Sequence, residues 1–160
     1  MRLFFSLFFY IAFGVRVANA AGQCTWCGFR NGPQHTGASD GSAKLGTVAP
    51  SIVWETSLNA SSASSLAFSD DGTLFVGGGM VETPQLPYYG AGLYAFDKTG
   101  SIKWFFSTND TVSGGPTISA DGSSVIFGND DSHLGDGESG FIYSVSSATG
   151  EEQWRFKTNG

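Results

Sequence analysis

The chain has 160 residues, 23 of them glycine and 14 phenylalanine, and a formal charge of −6 from 8 Lys and Arg against 14 Asp and Glu. That length amounts to one domain, and so glycine-rich and charge-poor a composition fits turn-rich β-structure. The acidic balance argues against nucleic acid or an anionic membrane as partner, more so if Arg2 and Arg16 leave with a leader, giving six basic residues against fourteen acidic ones and a charge of −8.

Residues 1–20 carry a basic residue at Arg2, an apolar run over 3–15 and Ala18-Asn19-Ala20 ahead of Ala21. This is the pattern of a secretory signal peptide, and it predicts an exported protein, extracellular or periplasmic. About 13 apolar residues fall short of the ~20 that span a bilayer, so no stable membrane anchor is expected. Residues 21–50 read as a lead-in and linker, with a small, polar stretch at 39–50. Cys24 and Cys27 are the only cysteines, and in an oxidising compartment they are expected in a disulfide, either local or to a separate segment. A thioredoxin-like redox pair would need a βαβ context, and covalent haem would need His where Gly28 stands. Zinc would have to recruit His35 and His133 from far apart. His35 has no local carboxylate or nucleophile and is expected to be a hydrogen-bonded structural histidine.

After residue 20 helical periodicity is absent, and short apolar runs separated by turn residues predict strands. They fall at 52–57, then at 64–69, 73–78, 92–96 and 102–107, and again at 115–119, 124–128, 140–145 and 153–157. Asp71-Gly72 and Asp121-Gly122 mark tight turns, as do Thr99-Gly100 and Thr149-Gly150. Trp54, Trp104 and Trp154 stand 50 residues apart, so the strands belong to a repeat. Four antiparallel strands per repeat is one blade of a β-propeller. The expectation is an all-β partial propeller: residues 51–160 hold two four-stranded blades, at about 58–107 and 108–157, plus the N-terminal strand, in the position of a strand that closes a ring. Two blades and one strand cannot close a ring of ~4–8 blades, so the chain is expected to be the N-terminal part of a longer propeller or to assemble in several copies.

The residues over 52–160 resemble the tryptophan-docking repeat of pyrroloquinoline-quinone (PQQ)-like β-propellers, the quinoprotein alcohol dehydrogenase-like superfamily. Its pattern is Ala-x-Asp, two residues, Thr-Gly, three residues, Trp. The first copy keeps Ala95, Asp97, Thr99-Gly100 and Trp104 but is one residue short before the Thr-Gly; the second keeps Thr149-Gly150 and Trp154 and has Ser144 and Ser146 for the Ala and Asp. Phe29-Arg30 and the Pro33-Gln34-His35-Thr36-Gly37 run resemble the lead-in that often precedes such repeats. WD repeats fit less well, since these tryptophans are followed by Glu55, Phe105 and Arg155, and a kelch double glycine at Gly77-Gly78 becomes Gly128-Asn129 in the second copy. The resemblance implies that Trp54, Trp104 and Trp154 pack between adjacent blades with Gly100, Gly150, Ala95 and Asp97, and carry no chemistry.

Asn59 and Asn109 begin Asn-x-Ser/Thr sequons, glycosylation sites in a eukaryotic secretory route and otherwise turn-forming asparagines. Both repeats carry an insertion between their second and third strands. Tyr88 and Tyr89 in the first suit either recognition or cover of a neighbouring blade. Asp130, Asp131, Asp136 and Glu138 in the second are a weak calcium candidate without EF-hand spacing, and solvated acidic loops share that composition.

Three functions compete. A quinoprotein dehydrogenase would need, by the resemblance, PQQ and calcium on the axis of a complete ring, a catalytic Asp and a disulfide between adjacent cysteines, which this sequence does not supply. A surface repeat protein would carry glycans or calcium. The expectation is the third, an exported non-catalytic propeller segment with no cofactor of its own and no catalytic residue, which binds a protein partner or further blades, as does the propeller lipoprotein of the outer-membrane barrel-assembly machine.

Overall fold

The computed structural model describes residues 26–31, 35, 37, 52–58, 60, 63–79, 90–130 and 140–158. The expected leader at 1–20, Cys24, Asn59, Tyr88, Tyr89, Asp131, His133, Asp136 and Glu138 lie outside them.

The described chain contains eight strands and no helix: β1 (Ala63–Phe68), β2 (Leu74–Gly78), β3 (Gly92–Phe96), β4 (Ile102–Ser107), β5 (Thr117–Ile118), β6 (Ser124–Gly128), β7 (Phe141–Ser146) and β8 (Glu152–Lys157). They form two four-stranded antiparallel meanders, β1-β2-β3-β4 and β5-β6-β7-β8. Strands β1 and β5 approach each other, whereas β4 and β8 make no such approach, so the sheets converge at their first strands and splay at their fourth. That is the arrangement of adjacent propeller blades, and the fold is an all-β partial propeller of two blades.

The hairpins follow from their turn residues. Gly72 and Gly122 adopt φ of +84° and +74°, which residues with a Cβ rarely reach. The preceding aspartates fix these turns: Asp71 Oδ1 accepts from Ser69 Oγ (2.5 Å) and Thr73 N (3.0 Å), and Asp121 Oδ1 from Ser119 Oγ (2.6 Å) and Ser123 N (3.1 Å). The first strand of the second blade is shorter than the sequence pattern predicts, because Pro116 has no N–H to donate to a ladder. The predicted strand at 52–57 pairs with neither sheet, in keeping with its expected place outside the two blades: the first sheet is formed by β1–β4 alone. Trp54 and Leu58 instead pack against that sheet's face.

Burial differs between the blades in a way that locates the core. Strands β2 and β3 are buried at every residue, whereas β6 alternates, with Val125 and Phe127 buried and their neighbours half-exposed. The first blade is therefore covered on both faces and the second on one. Between the blades lie Ala67, Phe75, Leu93 and Ala95 of the first and Ile118, Val125, Phe127, Tyr143 and Val145 of the second, with Trp104 and Phe106 packed alongside. On the first blade's other face, Leu74, Val76, Tyr94 and Phe96 meet Trp54, Leu58 and Ala60.

The N-terminal lead-in ties the first strands together. Trp26 and Phe68 exchange backbone bonds (3.2 and 2.7 Å), and Ile118 N donates to Cys27 O at 2.8 Å. Gly28 is needed where this clasp crosses the second blade, since a Cβ there would lie 2.9 Å from Thr117 Oγ1 and 3.3 Å from the Pro116 carbonyl. The following turn at Arg30 and Asn31 has positive φ, and His35 Nδ1 donates to the Phe29 carbonyl at 2.7 Å.

Candidate interblade docking site

Each docking unit is a glycine turn on one blade beneath a tryptophan from the preceding segment. At Gly100, with φ +85°, an added Cβ would stand 2.7 Å from Cδ2 and Cε3 of Trp54; at Gly150, with φ +76°, it would stand 2.7 Å from the same atoms of Trp104. The two sites are equivalent in geometry although their sequences differ. Only glycine serves, both for its left-handed backbone and for the close approach of the indole.

The aspartate of the pattern builds the turn. Asp97 Oδ1 accepts from Thr99 N (2.8 Å), Thr99 Oγ1 (2.6 Å) and Ser101 N (3.0 Å). These bonds, the Thr99 hydroxyl's first, hold the Asp97 carboxyl below the usual carboxylate range. In the second copy Ser146 Oγ takes that place with one longer bond from Thr149 N, 3.3 Å. The missing residue of the first copy is absorbed in the turn itself: Gly100 N bonds to the carbonyl of Asp97, three residues back, and Gly150 N to that of Ser146, four back. A register irregularity falls at the same point in both blades, between Ala95 and Phe96 and between Ser144 and Val145. Two turns of different length thus deliver glycine to the same place.

Trp104 is fixed from three sides. Its ring lies on Gly150 and 5.7 Å from that of Phe75, and its Nε1 donates to the Ser147 carbonyl at 3.1 Å. Ala95 pairs with Phe75 on one side and Trp104 on the other, and its small side chain lets the two rings meet across it. Phe106, two residues on, meets Phe127 and Tyr143 edge-on at 5.8 and 5.4 Å. Its part in the seam is marked in the sequence only by recurring as Phe156, one repeat later.

Strand pairing identifies the equivalent row on the second blade as Thr117, Ile126, Ser144, Ile142, Trp154 and Phe156. The large apolar part of this row is uncovered: Trp154 is 47 % exposed and Phe156 65 %, and Ile142 is exposed where its counterpart Leu93 is fully buried. Two serine hydroxyls on this face are already partnered, since Ser144 Oγ and Ser124 Oγ both donate to Gln153 Oε1 at 2.8 Å.

Among the described residues, the other predicted ones do not gather into a chemical site. Cys27 is disulfide-bonded, which removes the thiolate that zinc would need. Asp130, the one described member of the calcium candidate, accepts from Ser113 Oγ at 2.6 Å, and among the described residues no three His, Cys, Asp or Glu side chains gather to hold a metal. Between the blades near the Asp-Gly turns, a cavity of about 350 Å³ is lined by Asp71, Lys103 and Asp121 among others. Partial burial pushes the Asp71 carboxyl up, but bonds from Ser69 and Thr73 and the Lys103 ammonium outweigh it and hold it well below the usual range. The bonds from Ser119 and Ser123 hold Asp121 at about 2. Both carboxylates are committed to their turns, so this donor set does not fit a quinone and calcium centre.

No protein-family model matches the chain, and no curated protein matches it.

Proposed function

We propose that the chain is an exported, non-catalytic PQQ-like propeller segment that works as a protein-binding or scaffold module, and that its binding surface is the uncovered face of the second blade. The observation that carries this reading is the unequal cover of two equivalent rows. Trp104 and Phe106 have a blade with a glycine turn against them; Trp154 and Phe156 present the same chemistry to solvent. Burying such a row is favourable at about 25 cal/mol per Å² of apolar surface, and aromatic anchors concentrate that gain. Gln153 satisfies Ser124 and Ser144 from within, so docking leaves neither of these hydroxyls stranded. The occupant this face suits is a further blade, of this protein or another, that offers a turn of the Asp97–Gly100 kind.

The test is a photo-crosslinking amino acid at position 156 of the full chain in its source cells, with position 149 on an exposed turn as control. Peptides from a glycine turn of another blade, captured at 156 and lost on Trp154→Ala, are the expected result. Equal capture at 156 and 149, or capture unaffected by Trp154→Ala, would sink the docking reading.

A further inference from the structure

The sequon at Asn109 lies apart from the docking face, and its surroundings make more of it than a motif. Asn109 is exposed just beyond the end of β4, on the rim between the blades. Its amide orientation follows from donor logic. Phe141 N–H can only donate, so the Asn129 atom 2.7 Å from it is the accepting Oδ1. The Asn129 Nδ2 that remains donates to Asn109 at 3.2 Å, which identifies the Asn109 atom as Oδ1 and leaves Nδ2 as the end turned away from Asn129. Beside it runs a groove of about 560 Å³ bordered by Phe106, Asn109, Phe141, Tyr143, Glu152 and Arg155. That volume falls within the ~300–1,000 Å³ of small-ligand sites. The groove combines ring faces with a charged pair: the Arg155 guanidinium lies 5.5 Å over the Phe141 ring, and its Nε is 3.8 Å from Glu152 Oε1. Apolar ring faces beside charged donors and acceptors suit the two-sided chemistry of a saccharide, with C–H groups on its faces and hydroxyls at its edge.

We propose that Asn109 carries an N-linked glycan whose first sugar packs into this groove between the two blades. Its formation needs an oligosaccharide donor linked to a polyprenyl pyrophosphate and a secretory-route transferase. Asn109 Nδ2 bonds to the anomeric carbon as the bond from that carbon to the phosphate oxygen breaks; the amide loses one proton, and the polyprenyl pyrophosphate leaves with the electron pair. The transfer precedes folding of this loop. In the folded chain Thr111, the sequon's hydroxyl residue, is half-buried, its N–H bonds to Asp110 Oδ1 and its carbonyl accepts from Asp130 N at 2.8 Å. The modification does not depend on the docking reading, because Asn109 and its groove lie on the opposite side of the second blade from Trp154.

The experiment expresses the full chain behind a host secretory leader in eukaryotic cells, with Asn59→Gln present so that only one sequon remains. Glycopeptide mass mapping should find residue 109 occupied, with occupancy kept in Thr111→Ser and lost in Thr111→Ala and in Asn109→Gln. Enzymatic removal of the glycan from the folded protein should lower Tm by about 2–4 °C, the shift of a lost contact of modest strength. Secreted, folded chain with residue 109 unmodified overturns the site. An occupied site whose removal leaves Tm unchanged overturns the packing in the groove.

Discussion

Replacing Gly150 by Ala tests the docking geometry most directly, because its cost has two separable sources. The backbone source is φ +76°, where a Cβ costs about 1–2 kcal/mol. The packing source is the Trp104 indole, whose Cδ2 and Cε3 would stand 2.7 Å from the new methyl. The indole cannot swing aside freely, since it packs 5.7 Å from Phe75 and its Nε1 is bonded to Ser147 O at 3.1 Å. Moving it forfeits much of a hydrogen bond of about 0.5–1.5 kcal/mol and strains a packed seam by roughly 1–3 kcal/mol. Gly150→Ala should therefore cost about 3–5 kcal/mol in the wild-type background but only the backbone share, about 1–2 kcal/mol, in Trp104→Ala. The assay is equilibrium urea denaturation of the four proteins of a double-mutant cycle, with a coupling of about 1.5–3 kcal/mol expected. Additivity within about 0.5 kcal/mol would refute the claim that Trp104 is seated on this glycine.

The two phenylalanines of the repeat should separate in the same assay. Phe106→Ala opens a hole between Phe127 and Tyr143 and should cost about 3–5 kcal/mol, whereas Phe156→Ala, at a residue 65 % exposed, should cost under about 1 kcal/mol. Similar losses would mean that the second blade's outer face is covered within the chain. Acid should loosen the turns in a definite window. The Asp121 carboxyl is held at about 2, below its unfolded value, so its contribution to stability is fully present above about pH 4 and is lost as pH falls towards 2. Thermal melts from pH 7 to pH 2 should show a shallower decline for Asp121→Asn than for wild type; parallel curves would deny the turn its carboxylate.

The repeat was the most legible part of the sequence because its marks are backbone demands. Gly100 and Gly150 are required by positive φ and by an indole at van der Waals range, so they recur however the surrounding residues drift. The aspartate drifted to Ser146 because a serine hydroxyl can still accept one of the turn's bonds. Strand limits near Asp-Gly turns were readable for the same reason, whereas β5 was overextended because Pro116 blocks pairing at one residue without altering the run's hydrophobic pattern. Residues 52–57 have a strand's composition, but strand pairing depends on a neighbour that composition cannot report. The groove beside Asn109 was illegible altogether. It joins Phe106 of one blade to Phe141 and Arg155 of the next, and no local pattern links residues so far apart in sequence.

The second blade's two faces show how a repeat encodes more than copies of itself. Its inner face keeps the aliphatic and aromatic residues that meet Trp104 and Phe106, with Val125 and Val145 fully buried. On its outer face Thr117 stands where the first blade has Ala67, and Ser144 where it has Ala95. Each exchange adds a hydroxyl, exposed at Thr117 and buried at Ser144. Ser144 spends its hydroxyl on Gln153, at the register shift that precedes Trp154. A merely solvent-exposed sheet has no reason to keep Ile142, Trp154 and Phe156 in one row with these hydroxyls. On the reading proposed above, Trp154, 47 % exposed where Trp54 and Trp104 are half-buried, is the tryptophan through which that face would be joined.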